Sequence, residues 1–155
     1  MRALSLWQPH AIAIGLGLKL YETRGWQLRP EDVGVPIAIH AAKKVFREQD
    51  YPWEYFKEAK ARLSAAGVPL WKLDYGKVIC VCVFTACLRT STIRGEIGEA
   101  EFWGDFSDVG EDGKERWAFK IRDVGLIPES QRPEVTGRQG FFEVPNELGL
   151  WFQKC

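Results

Sequence analysis

The sequence holds four cysteines, two histidines and one methionine, and its 21 Lys+Arg balance its 21 Asp+Glu with no formal net charge. The charge balance excludes long-range attraction to a polyanion by the molecule as a whole, so any phosphate contact must be local. A protein that coats long nucleic acid usually has a basic excess; this balance instead fits a pocket that reads one nucleotide. No apolar run approaches the roughly 20 residues needed to cross a bilayer, and Met1 leads directly into Arg2-Ala3-Leu4-Ser5-Leu6 with no cleavable apolar leader. The expectation is a soluble cytoplasmic protein with no membrane partner. Cys80 and Cys82 stand two apart in the apolar run Val78 to Phe84, on one face of a strand, and no paired histidine follows at zinc spacing. They read as reduced core cysteines, with no metal and no cofactor expected. A Walker loop, a Rossmann glycine set, a serine elbow and a clustered-carboxylate metal motif are all missing, which removes the reaction classes they serve.

What the chain does have is ordinary globular composition and a surplus of aromatics. Of its 155 residues, 46% are hydrophobic, 27% charged and 13% aromatic, with seven Trp. That length suits one domain spanning residues 1–155 with a substantial core. Trp fills cores, but it also offers the flat faces on which bases stack.

Most elements read as strands. Ala3 to Leu6 is a short apolar strand, and Pro9 to Leu16 is a helix with Pro in its tolerated first turn and Gly17 as its stop. Leu20 to Trp26 is a strand whose period of two puts Glu22, Arg24 and Trp26 on one face and Tyr21 and Thr23 on the other. Arg29 to Val35 is a loop, and Pro36 to Ala41 is a buried strand closed by His40. From Tyr51 to Ala66, Phe56, Ala59 and Leu63 form one apolar helix stripe. Lys77 to Leu88 is the longest apolar strand, Thr90 to Gly98 and Gly104 to Gly113 are loop-like, and Arg116 to Val124 alternates as a half-buried strand. Phe141 to Val144 is the last strand, and Asn146 to Phe152 a short helix or turn. Short strands with two or three flanking helices favour a small mixed α+β barrel of about five to six strands.

Three polar constellations stand out. In the first, Lys19, Glu22 and Arg24 lie within one turn and one strand. Arg24 can grip a phosphate or base edge bidentately, Glu22 can accept from an exocyclic amine, and Lys19 supplies a point charge or general acid. The alternative is a solvated strand face of paired charges. In the second, His40 stands at a strand end beside Lys43 and Lys44, placed either for proton transfer or for a bond to a backbone carbonyl. In the third, Arg138-Gln139 between Gly137 and Gly140 either reads a phosphate or base edge or forms a plain hairpin or bulge.

Leu4-Ser5-Leu6-Trp7-Gln8-Pro9, the Gly17-x-Lys19-x-x-Glu22-x-Arg24 run and Trp26 resemble the opening signature of ASCH domains. Pro36-Ile37-Ala38-Ile39-His40-Ala41-Ala42-Lys43, Phe102-Trp103-Gly104-Asp105-Phe106, Trp117-Ala118-Phe119 and Gly137-Arg138-Gln139-Gly140 resemble later blocks in the same order. Segment 45–73 stands outside the resemblance as a helical insert. The resemblance implies a PUA-like β-barrel with a cleft beside the first helix, in a superfamily associated with RNA and modified bases. It makes Lys19, Glu22 and Arg24 cleft residues, draws in Trp7, Gln8, Lys43, Arg138 and Gln139 as nucleotide contacts, and makes Trp26 and Trp103 stacking platforms or core. His10 stands where the family commonly carries an aromatic.

The expected partner is RNA, or a single nucleotide or modified nucleoside. A hydrolase is the alternative, because some ASCH proteins are similar to ribonucleases or to an amidohydrolase of N4-acetylcytidine. Lys19, Glu22 and His40 would then be the catalytic groups. The amidohydrolase subgroup has a nucleophilic threonine three residues after its lysine; Glu22 occupies that position here, with Thr23 on the opposite face. A non-catalytic protein-interaction role through the Tyr51 to Ala66 helix is a further alternative.

Overall fold

In the computed structural model, which describes residues 1–147, the chain opens with β1 (Arg2–Leu6) and turns at Pro9 into α1 (His10–Gly15). Pro9 offers no side-chain cap, and the Gln8 side chain takes over by accepting from the Ile12 N–H at 3.0 Å. Four consecutive residues of α1, Ala11 to Ile14, are buried. β2 (Tyr21–Arg24), β3 (Pro36–Ala41), α2 (Trp53–Ala65), β4 (Lys77–Arg89), α3 (Thr90–Ile93), β5 (Trp117–Leu126) and β6 (Phe141–Glu143) follow. The six strands form one sheet in the order β2-β5-β4-β3-β1-β6. Only the β1–β3 pair is parallel; the other four are antiparallel. The architecture is the mixed α+β, curled, barrel-like sheet expected from the sequence.

The core runs from α1 through Leu4, Ile37, Ile39, Ile79, Phe84 and Phe119 to Phe56, Ala59 and Leu63 of α2, so the 45–73 segment is built into the same apolar cluster. α2 stops where Gly67 takes a left-handed φ of 83°, a conformation that favours a helix-ending glycine. Cys80 and Cys82 are both fully buried in this core. Among the described residues no helix is long and apolar enough to cross a membrane.

The stretch expected as a loop at 90–98 is partly helical and a further helix follows it, whereas 104–113 is irregular as expected. Thr90–Ile93 is helical and Gly98–Trp103 is a 3-10 helix, and their Ile93, Ile97 and Ala100 pack with Phe106 onto Ala118. Both faces of β5 are therefore covered at its start, where alternation predicts one wet face. The apolar residues of 90–106 are too few and too irregularly spaced to show a period. The expected terminal element, 146–152, lies outside the described residues beyond Glu147.

Three details position the site. β1 and β3 lie side by side with Ser5 opposite His40. The β3–β4 register shifts between Ile39 and His40, a bulge of the kind that re-aims a side chain. β2 pairs with β5 so that Glu22 faces Phe119 across the ladder, at the edge of the sheet.

Candidate functional site

A cavity of ≈ 500 Å³ opens between the end of β1, the start of α1, β2, the N-terminal part of α2 and the 102–105 segment. Lys19, Glu22 and Arg24 line it together. Lys19 Nζ lies 3.2 Å from Glu22 Oε2 and donates to the Trp103 carbonyl. Glu22 Oε1 accepts from Arg24 Nε at 2.7 Å, and Arg24 Nη2 donates to the Ser5 carbonyl at 3.2 Å. Lys19 is 2% exposed and Glu22 6%, so this is a buried, ordered array and not a solvated strand face.

Burial dominates the protonation of this array. It drives the Lys19 ammonium below its ordinary value, with Glu22 pulling the other way. Burial also pushes the Glu22 carboxyl up, but the Lys19 and Arg24 cations together hold it below the usual carboxylate range. His10 lies 3.4 Å from Lys19 Nζ through Nδ1. An ammonium only donates, so Nδ1 is the lone-pair nitrogen and Nε2 carries the proton toward the Tyr55 hydroxyl at 3.5 Å. Burial and the neighbouring Lys19 lower the His10 pKa to about 3, so the ring is neutral.

The walls are aromatic. Tyr55 stacks on Phe102 with ring centroids 5.2 Å apart, and Trp7 and Tyr51 complete the side away from β2. Trp7 is 54% exposed, with the Lys44 ammonium 3.8 Å from its ring centroid. On the opposite wall Thr23 accepts from the Asp105 N–H at 3.0 Å, and the guanidinium of Arg116 donates to the Thr23 carbonyl at 3.2 Å.

A second cavity of ≈ 570 Å³ adjoins the first and shares Ser5, Trp7 and Arg24 with it. His40, Lys43, Arg138 and Gln139 line this one. His40 Nε2 lies 2.8 Å from the Val135 carbonyl and Nδ1 lies 2.9 Å from Ser5 Oγ. A carbonyl only accepts, so Nε2 bears the proton and the Ser5 hydroxyl donates to Nδ1. Burial lowers the His40 pKa and Lys43 adds to this, against the carbonyl bonds of Val135 and Gly76.

The structure thus divides the sequence-derived residues between two cavities. Lys19 and Glu22 lie in the first, His40, Lys43, Arg138 and Gln139 in the second, and Trp7 and Arg24 on the boundary. Trp103 is a wall of the first cavity but 1% exposed, with its ring set edge-on to His10 and Phe102. Trp26 lines neither cavity and packs on Phe119 and Phe141. Gln8 is committed inside the fold, donating to the Asp74 carbonyl while it caps α1. Sequence reasoning passed over Ser5, Tyr51, Tyr55 and Arg116. Tyr51 stands in extended backbone before α2, two residues ahead of the expected helix's true start at Trp53, so no helical period joins it to Tyr55, and Ser5 and Arg116 carried no local signal either.

No family model and no curated protein matches the chain. Solved structures do. The crystal structure of ASCH from Zymomonas mobilis superposes with a TM-score of 0.59 at 19% identity, covering 99% of this chain and 93% of that one. Structures of two single-residue variants of the same protein give TM-scores of 0.56 and 0.52, at 17% and 19% identity and 99% coverage of this chain, with 94% and 96% of theirs covered. The chain has the ASCH domain fold.

Proposed function

We propose that this ASCH-fold chain binds a nucleotide or modified nucleobase, presented singly or unstacked from RNA, in the first cavity. The observation that carries this reading is the Lys19–Glu22–Arg24 array, its first two members buried, in an aromatic-walled cavity. Its volume lies within the roughly 300–1,000 Å³ of small-molecule sites, and such sites combine apolar walls with a few fixed polar groups. A base brings a flat face for Trp7, Tyr51 or Tyr55 and an edge of donors and acceptors for the carboxylates of Glu22 and Asp105 and the guanidinium of Arg116. Because the array is already hydrogen-bonded, little ordering is needed when a ligand arrives. Buried reduced cysteines accord with work in the cytoplasm.

Titration with a panel of modified and unmodified nucleosides, followed by Trp fluorescence and by amide shifts of Glu22 to Trp26, tests this. Saturable binding is expected for at least one of them. Trp7→Ala removes an exposed ring and should weaken that binding by about 1 to 3 kcal/mol, the usual loss per stacked base. A panel that leaves both signals unmoved overturns the reading.

One observation supports the hydrolase alternative. The Ser5 hydroxyl donates to the lone pair of a neutral imidazole, which is the arrangement of an activated nucleophile. Mass spectrometry of the same nucleosides and of labelled RNA reports turnover. Product that disappears in Ser5→Ala would establish hydrolysis, and unchanged substrate eliminates it.

A further inference from the structure

We propose that the second cavity is the phosphate half of the site, seating a phosphate attached to the nucleoside whose base enters the first cavity. The inference rests on the base-binding reading and adds to it the substrate class, a phosphorylated nucleoside.

Charge separates the two halves. In the first cavity the cations Lys19, Arg24 and Arg116 are each ion-paired with one of its two carboxylates, Glu22 and Asp105, so its charge is largely matched within the chain. The second is lined by three cations, Arg24, Lys43 and Arg138, and by no Asp or Glu, in a chain that carries 21 of each sign. Glu22, the carboxylate that binds Arg24, has its two oxygens held by Arg24 and Lys19. Among the described residues, the ion pairs include neither Lys43 nor Arg138. Both cations are therefore available to a ligand.

The backbone adds donors. Among the described residues, no acceptor within the chain takes the N–H groups of Gly137, Arg138, Gln139 or Gly140. Gly137 lets the loop press onto the Ser5–His40 pair, since a Cβ there would lie 2.4 Å from His40 Cε1, 2.7 Å from its Nδ1 and 3.2 Å from Ser5 Oγ. Gly140 adopts a φ of 71°, which turns the chain back into β6. Main-chain amides on a glycine-flanked loop beside cations are the donor set that anions use. Gln139 adds a side-chain amide.

Arg24 joins the halves. Its Nε is fixed by Glu22 and its Nη2 by the Ser5 carbonyl, so the guanidinium stands on the shared boundary with Nη1 left to a ligand. A phosphate on the ribose of a bound nucleoside reaches that boundary first. The rest of the cavity takes up its remaining oxygens.

Calorimetry and amide shifts at low salt, using inorganic phosphate, a nucleoside that binds, its 5′- and 3′-monophosphates and a short oligoribonucleotide, test the proposal. One of the monophosphates is expected to bind about tenfold or more tightly than its nucleoside, with an advantage that shrinks as salt rises. In the Lys43→Ala/Arg138→Ala variant that advantage should be erased, the monophosphate binding no more tightly than the nucleoside binds the same variant. Inorganic phosphate alone should shift the Gly137 and Gly140 amides. Equal affinity of nucleoside and monophosphates, with those amides unmoved by phosphate, overturns the proposal while the base reading stands. Shifts with phosphate and none with any nucleoside leave the phosphate half standing and overturn the base half. An oligoribonucleotide that outcompetes the monophosphates identifies a phosphodiester as the source; the reverse order identifies a free nucleotide.

Discussion

Lys19 has an ammonium that is almost wholly out of water, and what makes it tolerable is Glu22, 3.2 Å away. Taking two charges out of water costs several kcal/mol each, and their attraction repays this only while both are present. Glu22→Gln leaves Lys19 buried beside Arg24 with no anion, and its expected cost is about 3 to 5 kcal/mol. Because the ammonium is then disfavoured in the fold, the unfolded chain binds more protons and the variant should regain stability as pH rises. The double variant Lys19→Met/Glu22→Leu removes both charges in similar volume, and Arg24, whose side chain is 24% exposed, can turn to solvent. Its stability in urea should return to within about 1 kcal/mol of the parent, since apolar replacement of a buried pair is often neutral. Nucleoside binding should stay lost. A double variant as unstable as Glu22→Gln alone would show that the array holds the fold together; recovered stability without binding shows that it is kept for its ligand.

At the scale of elements, the second cavity depends on β1 lying parallel to β3 and on the bulge at His40, which together bring Ser5, His40 and the loop before β6 into contact. Gly137→Ala tests that contact. The added methyl cannot share space with His40 Cε1, so the loop must retreat, at a cost of about 1 to 3 kcal/mol in overpacking. Phosphate affinity should fall with it, while nucleoside binding in the first cavity is retained; a Gly137→Ala protein with parental stability and phosphate binding would show that the loop is not held against His40. The same element explains what the sequence could reveal. Lys19, Glu22 and Arg24 sit within six positions of one another, so helix-end and strand periods suffice to bring them together. The long strands and α2 were also legible locally: Ile37 to Ala41 and Val78 to Phe84 are near-continuous apolar runs of strand length, and Phe56, Ala59 and Leu63 recur at helical spacing. The Ser5–His40 pair spans 35 positions and Arg116 reaches Thr23 across 93, and no local spacing encodes a parallel crossover or an edge pairing. Trp26 stayed ambiguous because its strand ends at Arg24, and beyond a strand end the alternation no longer fixes which way a ring points.

For the molecule as a whole, the pH dependence of stability between neutrality and pH 5 is concentrated in the chain's two histidines. Both fold into sites that hold them neutral: His10 is lowered from 6.5 to about 3 and His40 is lowered as well, burial being the leading cause for each. The sign follows from linkage. As pH falls below 6.5 the unfolded chain takes up a proton on each imidazole more readily than the folded chain does, so the folded state loses ground. The loss is at most about 1.4 kcal/mol per pH unit per histidine and ends for His10 near pH 3. Glu22 acts in a separate window, because its depressed carboxyl contributes stability above 4.5 that is lost only as pH falls through the lower folded value. Urea unfolding at pH 7.5 and 5.5 should therefore show a loss of about 1 to 3 kcal/mol on acidification, before any carboxylate titrates. His10→Phe and His40→Gln should each reduce that pH-dependent loss, whatever they do to stability at pH 7.5, because each deletes a group that takes up its proton more readily in the unfolded chain. Phosphate should oppose it through the second cavity, since a ligand that binds only the folded chain adds stability by mass action. A parent protein whose unfolding free energy is level between those two pH values would mean that neither imidazole is held neutral by the fold, and the hydrogen bond from Ser5 to His40 Nδ1 would then have to be reversed.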